Sequence, residues 1–92
     1  MPIPRVSDED AWALYARAIG HRVRAARERK GLSQDRAAAE SGISRTHFQR
    51  IEQGMGNGSA ANPSLRTFAR IASALGVEAR ELLPPSNVGE DG

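Results

Sequence analysis

At 92 residues the chain can bury one small core and no second one, and its four aromatic rings (Trp12, Tyr15, Phe48, Phe68) leave that core to Ile, Leu, Val and Ala. Having no cysteine, it can build no disulfide, thiolate zinc site or thiol nucleophile, and it reads as a protein of a reducing cytoplasm. The net charge is only +2, yet from Arg17 to Arg50 nine basic residues face three acidic ones, a local +6 that fits either a polyanion-binding surface or a solvated helix face.

The opening residues 1–6, with two prolines and no apolar pattern, read as a flexible arm and carry neither a signal peptide nor a membrane span. Ser7, three positions before Asp10, begins a long first helix whose acidic first turn suits the positive end of the helix dipole. Trp12, Tyr15, Ile19, Val23 and Ala26 then recur at spacings of three and four up to the stop signal Lys30-Gly31. Gly20 interrupts this stripe at a cost of about 1 kcal/mol relative to Ala, so the helix is one rod or two pieces joined there.

Ser33 caps a short second helix that stops at Gly42, and Ser44 caps a third that ends before Gly54, so the tight turn at Gly42-Ile43 makes the two helices cross steeply. The small and polar run 55–62 is a loop. Asn62 and Pro63 suit the cap and first position of a fourth helix, with Leu65, Phe68, Ala69, Ala72 and Leu75 inward. A fifth helix over 77–83 stops at Pro84-Pro85, and residues 85–92 form a disordered tail. No run alternates β-branched residues, so the fold class is all-α, with five helices over residues 7–84.

At about 100° per residue, the third helix turns Arg45, Thr46, Gln49, Arg50 and Gln53 to one side and Phe48 and Ile51 to the other. Arginine can bond guanine O6 and N7, glutamine adenine N6 and N7, and threonine a thymine methyl or a phosphate. Glu and Lys, the usual residues of a merely solvated face, are missing from this arc.

The segment Ser33–Gly54, with Ala38 at a close-packing position, Gly42 in the turn and Ile43, Phe48 and Ile51 as anchors, resembles the Cro/C1-type (xenobiotic-response-element, phage-repressor-like) helix-turn-helix family. The resemblance runs from Ile19 to Leu83 and includes the closing half from Asn62 to Pro84. It implies a five-helix, lambda-repressor-like DNA-binding domain with an extended first helix, and a motif over 33–53. By that resemblance the third helix, 44–53, enters the major groove with Arg45, Thr46, Gln49 and Arg50 on base edges. It also implies that Ser44 faces the groove beside them, that Gln34 and its backbone N–H meet a phosphate, and that Arg27 and Glu52 form an internal ion pair; Ser33 and Ser44 are read as further phosphate contacts. Ser44 to Thr46 is similar to the corresponding run in restriction-modification controller proteins. One departure stands out. Family loops before the fourth helix are short and often basic, whereas here eight residues intervene without a lysine or arginine, leaving Asn57, Ser59, Asn62 and Ser64 as neutral phosphate donors.

His21 and His47 have no companions at metal-ligand spacing, so neither a metal nor another cofactor is expected. His47 falls at the border of the buried face, and Glu52 has no nucleophile or second carboxylate that would make it catalytic. The chain is therefore expected to be no enzyme but a sequence-specific, double-stranded-DNA-binding transcriptional repressor or autoregulator, cytoplasmic and nucleoid-associated when bound. The other reading is an antitoxin or similar module whose main task is to cover a protein partner. One recognition helix selects too few base pairs, so a homodimer is expected, through Val77, Leu82 and Leu83 or through Trp12 and Tyr15.

Overall fold

The computed structural model describes residues 8–56 and 58–85; the arm 1–6, Ser7, Asn57 and residues 86–92 of the tail lie outside them. Four α-helices follow in order, α1 (Glu9–Lys30), α2 (Gln34–Ser41), α3 (Arg45–Glu52) and α4 (Leu65–Leu75), and then a 3-10 turn (Ala79–Leu82). The described residues contain no strand, only an isolated antiparallel bridge between Met55 and Ala60.

The helix ends follow from their residues. Ser33, Ser44 and Ser64 each accept a hydrogen bond from the backbone N–H three positions on, at Arg36, His47 and Thr67. At the other ends Gly31, Gly42 and Gly76 adopt left-handed φ of 76°, 73° and 71°. The next residue in each case is apolar, and Leu32, Ile43 and Val77 donate their N–H groups back to Arg27, Ala38 and Ala72. All three tuck against the core.

Some expectations need correction. Ser64, not Asn62, caps α4, and Pro63 therefore precedes the helix. The inner face of α4 is turned: Phe68, Ile71, Ala72, Ala74 and Leu75 are buried, while Leu65 is 82% exposed and Ala69 lies outside. Leu65 opens the helix, beyond the edge of the core. The fifth α-helix is instead one 3-10 turn, held by a reciprocal capping box between Glu78 and Glu81. Pro84 pushes Leu83 into extended backbone, ψ 133°, so the turn cannot propagate.

Gly20 does not divide α1, which is one 22-residue helix. A Cβ at Gly20 would stand 2.4 Å from the Glu52 carbonyl oxygen and 2.6 Å from that of Ile51. The helices meet there at backbone distance. Ile19, Val23, Phe48, Ile51, Phe68, Ile71, Leu75 and Leu82 form the core, with Ala37 and Ala38 letting α2 approach its neighbours. Leu82, at 1% exposed, belongs to that core and is not available to a second subunit. Val77, Trp12 and Tyr15 are likewise partly buried on the monomer. No helix among the described residues is long and apolar enough to cross a membrane.

Candidate nucleic-acid interface

Phe48 and Ile51, 0% and 2% exposed, pin α3 to the core and turn its opposite side outward. Arg45, Thr46, Gln49 and Arg50 are all exposed on that side. His47 is exposed as well, not at a buried border, because the first turn of α3 projects past the core. Arg45 Nε stands 3.4 Å from Asp35 Oδ1 of α2, with both side chains well exposed, so water and salt screen the contact. Thr46, His47 and Arg50 form one wall of a shallow groove; Ser59 and Asn62 of the following loop form the other.

Behind this face, three side chains lock the two motif helices to α1. Arg27 Nε donates to Glu52 Oε2 at 2.6 Å and Nη2 to Oε1 at 3.3 Å. Arg27 Nη1 also donates to the Leu32 carbonyl at 2.8 Å. Gln34 Nε2 donates to the same Glu52 Oε1 at 2.9 Å. The Arg27 and Glu52 side chains are only 12% and 4% exposed. The Glu52 hydrogen bond raises the Arg27 pKa further above its ordinary value, outweighing burial, so the guanidinium is charged at any pH at which the domain folds. Gln34 thus turns its amide group inward, not wholly toward a phosphate.

The expected phosphate donors meet different fates. The Ser33 and Ser44 hydroxyl oxygens accept cap bonds, leaving each hydroxyl hydrogen as a donor. Ser64 differs: its oxygen caps α4 and its hydroxyl donates to Thr67 Oγ1 at 3.0 Å. Ser59 and Asn62 are exposed beside α3, and Asn57 lies outside the described residues. The basic run is not one patch. Arg27 is internal, Lys30 donates to the Ala74 carbonyl at the end of α4, and Arg24 and Arg36 pair with Glu28 and Glu40 one turn on.

Sequence reasoning missed two close approaches and one strut. Besides Gly20, Gly54 has φ 73° and would place a Cβ 2.8 Å from Arg17 Cα. Trp12 Nε1 donates to the Ala61 carbonyl at 2.8 Å. A glycine inside an otherwise unbroken amphipathic stripe was the available signal for the first. Among the described residues no group of His, Asp and Glu is arranged to hold a metal.

Residues 18–84 match the family described as a helix-turn-helix domain. The chain belongs to that family, of the Cro/C1 type, whose members are DNA-binding transcriptional regulators and not enzymes. It is 38% identical over 64 residues to the HTH-type transcriptional regulator SlrR of Bacillus subtilis (strain 168), covering 70% of this chain but only 40% of that protein. An uncharacterized HTH-type transcriptional regulator, y4dJ of Sinorhizobium fredii, is 33% identical over 69 residues, 75% of this chain and 83% of that one. Among solved structures, the restriction-modification controller protein C.AhdI from Aeromonas hydrophila shares 37% identity with a TM-score of 0.67, over 74% of this chain and 96% of that one. The hypothetical transcription factor NHTF from Neisseria shares 27% identity at a TM-score of 0.65, over 99% of this chain and 90% of that one.

Proposed function

We propose that this regulator is a repressor that binds double-stranded DNA sequence-specifically, laying α3 in the major groove with Arg45, Thr46, Gln49 and Arg50 on base edges. The observation that carries this reading is the two-sidedness of α3, whose exposed arc holds base-reading side chains and whose back is sealed by Phe48, Ile51 and the Glu52 ion pair. The N-terminus of α2 supplies backbone N–H groups and the Ser33 hydroxyl to a phosphate. Ser44, Ser59 and Asn62 do the same on the other flank of the groove, whereas the Ser64 hydroxyl donates to Thr67.

One α3 contacts too few base pairs to select a genomic site, so the binding unit is a symmetric dimer on a pseudo-palindrome. Leu83, 40% exposed, is the candidate contact that remains at the C-terminal end; Leu14, 61% exposed, is its counterpart on α1. Selection of bound duplexes from a random pool tests the reading. A two-fold-symmetric consensus is expected, and enrichment of no sequence above the starting pool overturns it.

A further inference from the structure

The family match begins at residue 18, whereas α1 begins at Glu9, so more than two turns of helix lie ahead of the shared domain. Those turns are well packed. Ala11 and Ala16 are buried, and the Trp12 ring stacks on Tyr15 with centroids 5.7 Å apart. Their contacts converge on the loop that follows α3. Trp12 holds the carbonyl of Ala61, a residue only 4% exposed, and Arg17 takes the close approach of Gly54. Gly54 and Ala61 are the two ends of the loop and bond each other, Ala61 N–H to Gly54 carbonyl at 2.9 Å. Between them Gly56 N–H donates to the Ser59 carbonyl at 2.7 Å, closing a short hairpin.

We infer that the first turns of α1 brace this hairpin against the reading helix, and that Trp12 is a positioning residue for DNA binding, acting through Ala61 on Ser59 and Asn62. The inference rests on the reading of α3 as the groove helix. Two observations support it. Ser59 and Asn62 border two depressions, one shared with Thr46 and Arg50 and one with Asp8, Glu9 and Asp10; the carboxylates of the second repel a phosphate, so the DNA backbone is met on the first. The described hairpin also offers only neutral donors. A lysine attracts a phosphate from a mobile loop over several ångströms, but a serine or amide must sit within hydrogen-bond distance and direction. A loop of neutral donors therefore depends on being held in place.

The test uses the full chain and Trp12→Phe, which keeps a ring on Tyr15 and removes the N–H. Amide exchange at Gly56 and Ala61 is expected to speed up about tenfold, as suits a buried carbonyl left without its donor, while the amides of α2 are unchanged. Affinity falls about five- to tenfold on a selected duplex and on a scrambled one alike, with base preference retained. In a parallel Ser59→Ala/Asn62→Ala protein the same uniform loss is expected with the hairpin amides still protected. Adding Trp12→Phe to that background then lowers affinity no further. Unchanged hairpin exchange in Trp12→Phe, or a full additional loss in the combined variant, overturns the inference. Failure of the α3 reading shows separately, as base preference that survives Arg45→Ala and Gln49→Ala in the parent chain.

Discussion

Glu52 sits on the helix assigned to DNA, yet its carboxylate accepts from Arg27 twice and from Gln34 once and never reaches the outer face. Removing its charge leaves a buried guanidinium uncompensated. Glu52→Gln should therefore lower unfolding free energy by about 3 kcal/mol, near the low end for breaking a buried pair because the amide oxygen still accepts one bond. Urea denaturation checks this, and a midpoint equal to the parent's rejects it. On the outer face Arg45→Ala and Gln49→Ala should leave stability within about 0.5 kcal/mol. Each should reduce discrimination at its own base pair by about 1 to 3 kcal/mol, read by binding to single-site operator variants. The resemblance to the family implies that Glu52 pairs inward with Arg27, whereas the helical period alone leaves it between the buried Phe48 and the outward Arg45. Neither could show Gln34 turning inward, since that depends on where α2 stands relative to α3.

At the scale of elements, the docking of α3 is governed by absent side chains. Gly20 and Gly54 let the end of α3 lie on α1 backbone to backbone. Gly20→Ala isolates the effect, because helix propensity alone favours alanine by about 1 kcal/mol. The new Cβ would meet two main-chain carbonyls that cannot rotate away, and the expected net change is a loss of about 2 kcal/mol, within the range for overpacking. A thermal melt that rises instead would show that the helices part easily there. The helices themselves were legible, with Gly stops and Ser caps at 31, 33, 42, 44 and 54 marking most boundaries. The last element was not. The apolar run 77–83 has helical spacing, but the capping box and Pro84 confine it to one 3-10 turn, and Leu82 fills the core where the sequence had offered it to a partner. The inner face of α4 slipped for a similar reason, since Leu65 lies at the right angle but at the wrong height along the axis.

For the whole molecule, the way charge is distributed sets how DNA binding responds to salt. Much of the basic run is internal or paired, and the flanking contacts proposed from Ser33, Ser44, Ser59 and Asn62 are neutral. Neutral contacts release no counterions. Ser59→Ala/Asn62→Ala should therefore weaken binding without changing the slope of log affinity against log salt, a separation that filter binding across salt concentrations can measure. Sedimentation should show a dimer that Leu83→Glu converts to a folded monomer, whereas an unchanged dimer would move the interface to Leu14. The three matched corners at Gly31-Leu32, Gly42-Ile43 and Gly76-Val77 also bear on how the chain folds. Each closes its reversal within six residues, through a bond from Leu32, Ile43 or Val77 to a carbonyl five positions back. The chain can change direction at these points before any distant part of it has arrived, and helical domains rich in such local contacts fold in microseconds to milliseconds. Gly31 gives the cleanest access to this behaviour, because its φ is 76° and nothing lies within 4 Å of an added Cβ. An alanine there introduces about 1 to 2 kcal/mol of left-handed strain and no clash. If the corner at Gly31 already exists at the folding barrier, that strain will appear as slower refolding and leave the unfolding rate untouched.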